Sequence, residues 1–185
     1  MTENTVTVAV LVGSLRAGSH NRALAELAVA NAPAGVSVRI VDGLGDLPFY
    51  NEDLDTPESV PAGVAEVRAQ VASADAVLVV TPEYNGTIPG VLKNAVDWLS
   101  RPYGAGALAG KPAGVIGAAL GRYVGVWSRE DTRKSVGIAG AAVVEDVEIG
   151  IGTAELGDAG VNTPEIVDQV VDAVRVLAAQ VAVAV

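Results

Sequence analysis

The stretch Ala76-Val77-Leu78-Val79-Val80-Thr81-Pro82-Glu83-Tyr84-Asn85-Gly86-Thr87-Ile88-Pro89-Gly90-Val91-Leu92-Lys93-Asn94-Ala95-Val96-Asp97-Trp98 decides the fold of this chain. An unbroken apolar run, Ala76 to Val80, stops at a polar turn, Thr81 to Thr87, and a helical pattern opens near Pro89. An apolar run that short reads as a strand buried on both faces, which is the habit of parallel sheets covered by helices. In such sheets ligands collect at the carboxyl ends of the strands, where the winding reverses, so the turn is a candidate floor for a flat polar ligand.

The same signature recurs on either side. Val6 to Val12 is apolar and ends at Gly13-Ser14-Leu15-Arg16-Ala17-Gly18-Ser19-His20-Asn21, after which Leu24, Leu27 and Ala28 repeat at helical spacing. Val36 to Val41 reads as a second strand, followed by an irregular stretch from Asp42 to Pro61 and a helix carrying Val64, Val67 and Val71 on one face. After the central motif, Val91, Leu92, Ala95, Val96 and Leu99 mark a helix that stops before Arg101-Pro102, and a Gly-rich link, Tyr103 to Gly110, leads to a fourth strand at Ala113 to Ala118. Gly117 to Gly125 forms another glycine-punctuated loop, a helix is expected from Trp127 to Val136, and a fifth strand within Ala141 to Ile149. Thr163-Pro164-Glu165 opens the last helix with a hydroxyl cap, a first-turn proline and an acid suited to the dipole. Strand and helix alternating without repeats predict one domain over residues 1–185: a doubly wound α/β fold with five parallel strands in the flavodoxin-like order 2-1-3-4-5 and helices on both faces.

Composition narrows the chemistry. Half of the 185 residues are hydrophobic but only 4% are aromatic, so Val, Ala, Leu and Ile must build the core. Cysteine is absent and histidine occurs once, which excludes disulfides, thiolate nucleophiles and thiolate metal sites and leaves little for a transition-metal centre. A net charge of −10 opposes nucleic acid and anionic membrane as partners. No apolar run approaches the roughly 20 residues of a membrane span, and Met-Thr-Glu-Asn-Thr does not resemble an export signal, so a cytoplasmic protein is expected.

On so acidic a chain, a phosphate can bind only where local donors override the molecular field. The first loop offers them: Ser14, Ser19 and Asn21 as short donors, Arg16 as a permanent planar cation, and the start of a helix with its free N–H groups. The loop matches neither Gly-x-Gly-x-x-Gly nor the Walker pattern, which disfavours dinucleotide and triphosphate. The alternative is an ordinary capping turn with Ser19 or Asn21 as the cap and Arg16 solvated. His20 reads as a side chain against ligand or solvent, without a chemical role. Taken together, the two loops suggest a mononucleotide, its phosphate at the first and its ring at Thr81 to Gly86.

In order and spacing, Gly13-Ser14-Leu15-Arg16-x-Gly18-Ser19-x-Asn21, Leu47-Pro48-Phe49-Tyr50-Asn51-Glu52-Asp53, Pro82-Glu83-Tyr84-Asn85, Ile88 to Trp98 and Gly110-Lys111-Pro112 resemble the NAD(P)H-dependent FMN reductase family, over Val8 to about Gly125. The resemblance implies a flavodoxin-like fold with noncovalent FMN, reduced by NADH or NADPH and reoxidised by a small-molecule acceptor such as a quinone, azo compound, metal oxyanion or free flavin. It places the phosphate against Ser14, Arg16, Ser19 and Asn21, with His20 beside them, and the isoalloxazine against Pro82, Glu83, Tyr84, Asn85 and Gly86. The cofactor carries the chemistry, so no catalytic side chain is assigned. A homodimer or homotetramer is implied, with Leu47 to Asp53 approaching a neighbour; on its own that segment reads as a surface loop with Phe49 and Tyr50 packed locally. Gly117-Ala118-Ala119-Leu120-Gly121-Arg122-Tyr123-Val124-Gly125 departs from the family pattern, lacking a serine hydroxyl at position 119. The competing function is a flavodoxin-type electron carrier without a hydride-donor site, against which Arg16 and the Pro-Glu-Tyr-Asn loop argue.

Overall fold

A computed structural model describes residues 5–183. Five parallel strands, β1 (Val6–Val12), β2 (Val36–Ile40), β3 (Ala76–Val80), β4 (Pro112–Ala119) and β5 (Ala142–Gly152), form one sheet in the order β2-β1-β3-β4-β5. The helices are α1 (His20–Ala30), α2 (Ala62–Ala72), α3 (Gly90–Leu99), α4 (Val126–Ile138) and α5 (Pro164–Val183). None of the described helices is long and apolar enough to cross a membrane.

Alternation of side chains along the strands builds a core on each face of the sheet. Val8, Val10, Val12, Leu78, Val80 and Ile116 pack against Leu24 and Ala28 of α1 and Val170, Val174 and Leu177 of α5. Ala9, Leu11, Val77, Val79 and Val115 pack against Val67 and Val71 of α2, Leu92, Ala95 and Leu99 of α3 and Val136 of α4. Every residue of β3 is buried, as an apolar run at the centre of a doubly covered sheet must be.

Two expectations need correction. The fifth strand does not end by Ile149: β5 runs on to Gly152 and pairs with β4 to the end, Ala119 opposite Gly152, across an irregular register between Ala113 and Val115. Backbone pairing with a neighbour, not side-chain pattern, sets that limit. Within Leu47 to Asp53, Tyr50 packs edge-on against Trp98 with centroids 4.9 Å apart, but Phe49 is 86% exposed rather than locally packed. The loop is strapped to α3, with Asn94 donating to Pro48 O (2.9 Å) and accepting from Tyr50 N (2.8 Å), while Trp98 Nε1 donates to Pro48 O (2.8 Å).

Candidate active site

Three loops leave the carboxyl ends of β1, β3 and β4 side by side, as the strand order requires. Between them lies a crevice of about 210 Å³. Ser14, Arg16, Ser19, His20 and Asn21 enter it from the first loop and the start of α1, and Pro82, Glu83 and Tyr84 from the loop after β3. Its remaining lining is Ala118, Ala119 and Leu120 from β4 and its loop, with Thr153 just past β5. A larger hollow of about 590 Å³ lies at the opposite end of the sheet, between the carboxyl ends of α3 and α4. Helix carbonyls point into that end, which disfavours an anion there.

The candidate anion-binding half is built around the start of α1. Ser19 caps the helix, its Oγ accepting from Arg22 N at 3.3 Å, which leaves its hydroxyl proton to donate into the crevice. No acidic residue occupies the first turn of α1, so nothing there competes with an anion for the helix dipole. Arg16 is exposed and, among the described residues, pairs with no carboxylate and makes a single hydrogen bond, 3.4 Å to Ala17 O. Ser14 is 91% shielded from solvent at the floor. His20 is the first residue of α1 rather than part of the loop.

Asn21 lines the crevice and also joins two elements. Its Nδ2 donates to Ala118 O at 2.9 Å and its Oδ1 accepts from Ala118 N at 2.8 Å. The side chain ties α1 to β4 with one Nδ2 N–H and Oδ1, and its second Nδ2 N–H makes no hydrogen bond among the described residues.

The loop after β3 is held rigidly by α4. Thr81 Oγ1 and Ser128 Oγ lie 2.9 Å apart, Ser128 Oγ donates to Pro82 O at 2.8 Å, and the Glu83 carboxylate accepts from Ser128 N at 3.2 Å. Glu83 thus caps the first turn of α4. Tyr84 and Thr87 exchange backbone bonds around Asn85 (φ 53°) and Gly86 (φ 73°), a tight turn with two left-handed residues for which Asn-Gly is the preferred pair. Asn85 and Gly86 form this turn and do not line the crevice. Tyr84 is 49% exposed at its rim, and the N–H groups of Glu83 and Asn85 donate to no acceptor among the described residues.

Sequence reading missed Thr153, Ala118 and Leu120, whereas Ala119 stands at the position where the family's serine hydroxyl is lacking. Thr153 reaches the crevice only because β5 extends past Ile149, a tertiary effect without a local signal. Lys93 and Asp97 pair with each other on exposed α3 at 2.6 Å.

The donor set fits a flavin mononucleotide: an unpaired guanidinium, two hydroxyls and a helix start for the phosphate, then Tyr84, Leu120 and free loop N–H groups for a flat heterocycle. A family model described as NADPH-dependent FMN reductase matches residues 6–155. The chain is 45% identical over 130 residues to a quinone reductase of Pseudomonas putida, covering 70% of this chain and 69% of that one. It is 44% identical over 118 residues to an NAD(P)H-dependent FMN reductase of Pseudomonas aeruginosa, covering 64% and 62%. Among solved structures, the flavoenzyme NAD(P)H:(acceptor) oxidoreductase of Paracoccus denitrificans is similar with a TM-score of 0.83 and 33% identity, over 96% of this chain and 97% of that one.

Proposed function

The chain belongs to the NADPH-dependent FMN reductase family, and from that premise we propose that the crevice at the ends of β1, β3 and β4 holds FMN and opens its ring to NAD(P)H and then to a quinone. The protein is an oxidoreductase dependent on FMN and NAD(P)H. The observation that carries the site assignment is the meeting of both sequence-distant motifs in one crevice, with Arg16 there free of any carboxylate partner among the described residues.

When bound, FMN takes up a hydride from NAD(P)H and returns two electrons to an acceptor, so the protein's part is binding, alignment and electrostatics. Arg16, the Ser14 and Ser19 hydroxyls and the α1 start hold the phosphate. Pro82, Tyr84 and Leu120 would border the ring, and the N–H of Glu83, which makes no hydrogen bond among the described residues, would serve its polar edge. Ser128 and Thr81 keep that loop from shifting, which preserves the stacking distance hydride transfer needs. The exposed Tyr84 and Leu120, with Tyr123 and Trp127 nearby, suit a flat aromatic acceptor better than a metal oxyanion. Azo compounds share that flatness and are proposed as secondary acceptors, ahead of free flavin. Phe49, 86% exposed at a loop tip, supports contact with a second copy in a homodimer or homotetramer.

Anaerobic mixing of the FMN-loaded protein with NADPH or NADH tests the reading. Bound flavin should bleach, and one equivalent of benzoquinone should restore its colour with one hydroquinone formed. Flavin that binds but stays oxidised with both nucleotides would make the protein an electron carrier instead.

A further inference from the structure

Behind the crevice, a turn with an unusual backbone is held by a buried arginine. Val124 has φ of 50°, a left-handed conformation that a β-branched residue adopts only under constraint. Its carbonyl accepts from Arg129 Nη1, and its Cγ1 rests so close to Gly152 that a Cβ there would lie 3.2 Å away. Arg129 is 6% exposed and lies flat on Gly150, where a Cβ would come within 2.7 Å of Cζ and 2.8 Å of Nη2. The two glycines of the Gly150-Ile151-Gly152 end of β5 are therefore two seats on one face, one for the guanidinium and one for Val124.

Folding alone does not account for this arginine. Its Nε is buried without a hydrogen-bond partner among the described residues, and its Nη2 reaches Glu148 at only 3.4 Å, although Glu148 already pairs with Arg133 at 3.3 Å. A buried cation so poorly satisfied costs stability relative to an apolar side chain of the same size. What it does accomplish is to fix Val124, and with it the turn from Gly121 to Gly125. That turn follows directly on Leu120, which lines the crevice, while Tyr123 packs on Trp127 at 5.1 Å and Trp127 abuts Gly86 of the opposite loop.

We propose that Arg129, seated on Gly150, is a positioning residue that sets the Gly121 to Gly125 turn as the wall against which the flavin ring and the flat acceptor pack. The proposal rests on the flavin reading above. It acts at the ring and not at the phosphate, so FMN and riboflavin should respond alike.

Dissociation constants for both flavins, measured by fluorescence quenching on wild type, Arg129→Met, Arg129→Lys and Gly150→Ala, test it. Arg129→Met leaves Glu148 paired with Arg133, and Gly150→Ala keeps every charge while displacing the guanidinium, so the second variant serves if the first does not fold. Both should weaken FMN and riboflavin by the same factor, about tenfold, the equivalent of one lost charge-assisted contact. The quinone KM should rise more than kcat falls, and Arg129→Lys, which can still reach Val124 O, should recover part of the loss. Unchanged constants in both variants, a loss confined to FMN, or a lysine variant no better than methionine would overturn the proposal. A wild-type chain that takes up neither flavin overturns the flavin reading and this one with it; wild-type binding with unaltered variants overturns this one alone.

Discussion

Arg16 and Asn21 stand five residues apart in one motif and line one crevice, but they differ in what holds them. Arg16 is exposed and unpaired with any carboxylate among the described residues, so Arg16→Ala removes no internal contact beyond a weak bond to Ala17 O. Its FMN affinity should fall by one to two orders of magnitude, the range of a charged hydrogen bond worth about 1.5–3 kcal/mol. Riboflavin affinity and the urea midpoint of the apoprotein should stay put; an equal loss for riboflavin would remove Arg16 from the phosphate. Asn21→Ala does the reverse, stripping partners from both backbone groups of buried Ala118. Leaving these unsatisfied should cost on the order of 2 kcal/mol or more in urea unfolding, with a change in flavin affinity smaller than that of Arg16→Ala. The sequence could not distinguish these roles. Arginine and asparagine are both good phosphate donors, and only the approach of α1 to β4 gives one of them a structural tie as well. Asn85-Gly86 is the same lesson from the other loop, since a polar amide beside a site proved to be the backbone requirement of a turn.

Elements differ in how plainly their limits are written. The apolar run of β3 marks it to the residue, and β1 is apolar apart from Thr7 near its half-buried start, because a strand buried on both faces must stay apolar until it leaves the sheet. In β5, Glu145, Asp146 and Glu148 interrupt the run and Gly150-Ile151-Gly152 carries no strand preference, so pairing with β4 alone extends it and delivers Thr153 to the crevice. Lys111, just ahead of β4, shows how elements are joined at the other end of the sheet. Its Nζ donates to Ala72 O at 3.1 Å and to Ala74 O, closing the carboxyl end of α2. Burial lowers its pKa below the usual 10.5, with Asp75 partly offsetting the shift. The folded state therefore binds fewer protons here than the unfolded chain between the depressed pKa and 10.5, and stability from this group rises with pH across that window. Wild type should gain on Lys111→Met as pH climbs from neutrality toward 10.5, read as the difference between their urea midpoints. A difference that stays flat or shrinks would mean that Nζ is not desolvated.

At the scale of the whole molecule, a net charge of −10 acts against the anions this site is built to take. The two fields have different reach. Screening length falls from about 30 Å at 0.01 M salt to about 10 Å at 0.1 M. Arg16 and the α1 start act on a bound phosphate within a few ångströms and are little affected, whereas the summed acidic surface is felt during approach only at low salt. Raising salt between those limits should therefore speed the association of FMN with the apoprotein, while riboflavin, which is neutral, should be nearly insensitive. Stopped-flow quenching of flavin fluorescence separates the two. The Arg16→Ala variant should show the same acceleration, because the repulsion belongs to the entire surface. An FMN association rate that drops as salt is added would place the governing field in the loop after β1 rather than in the molecule as a whole.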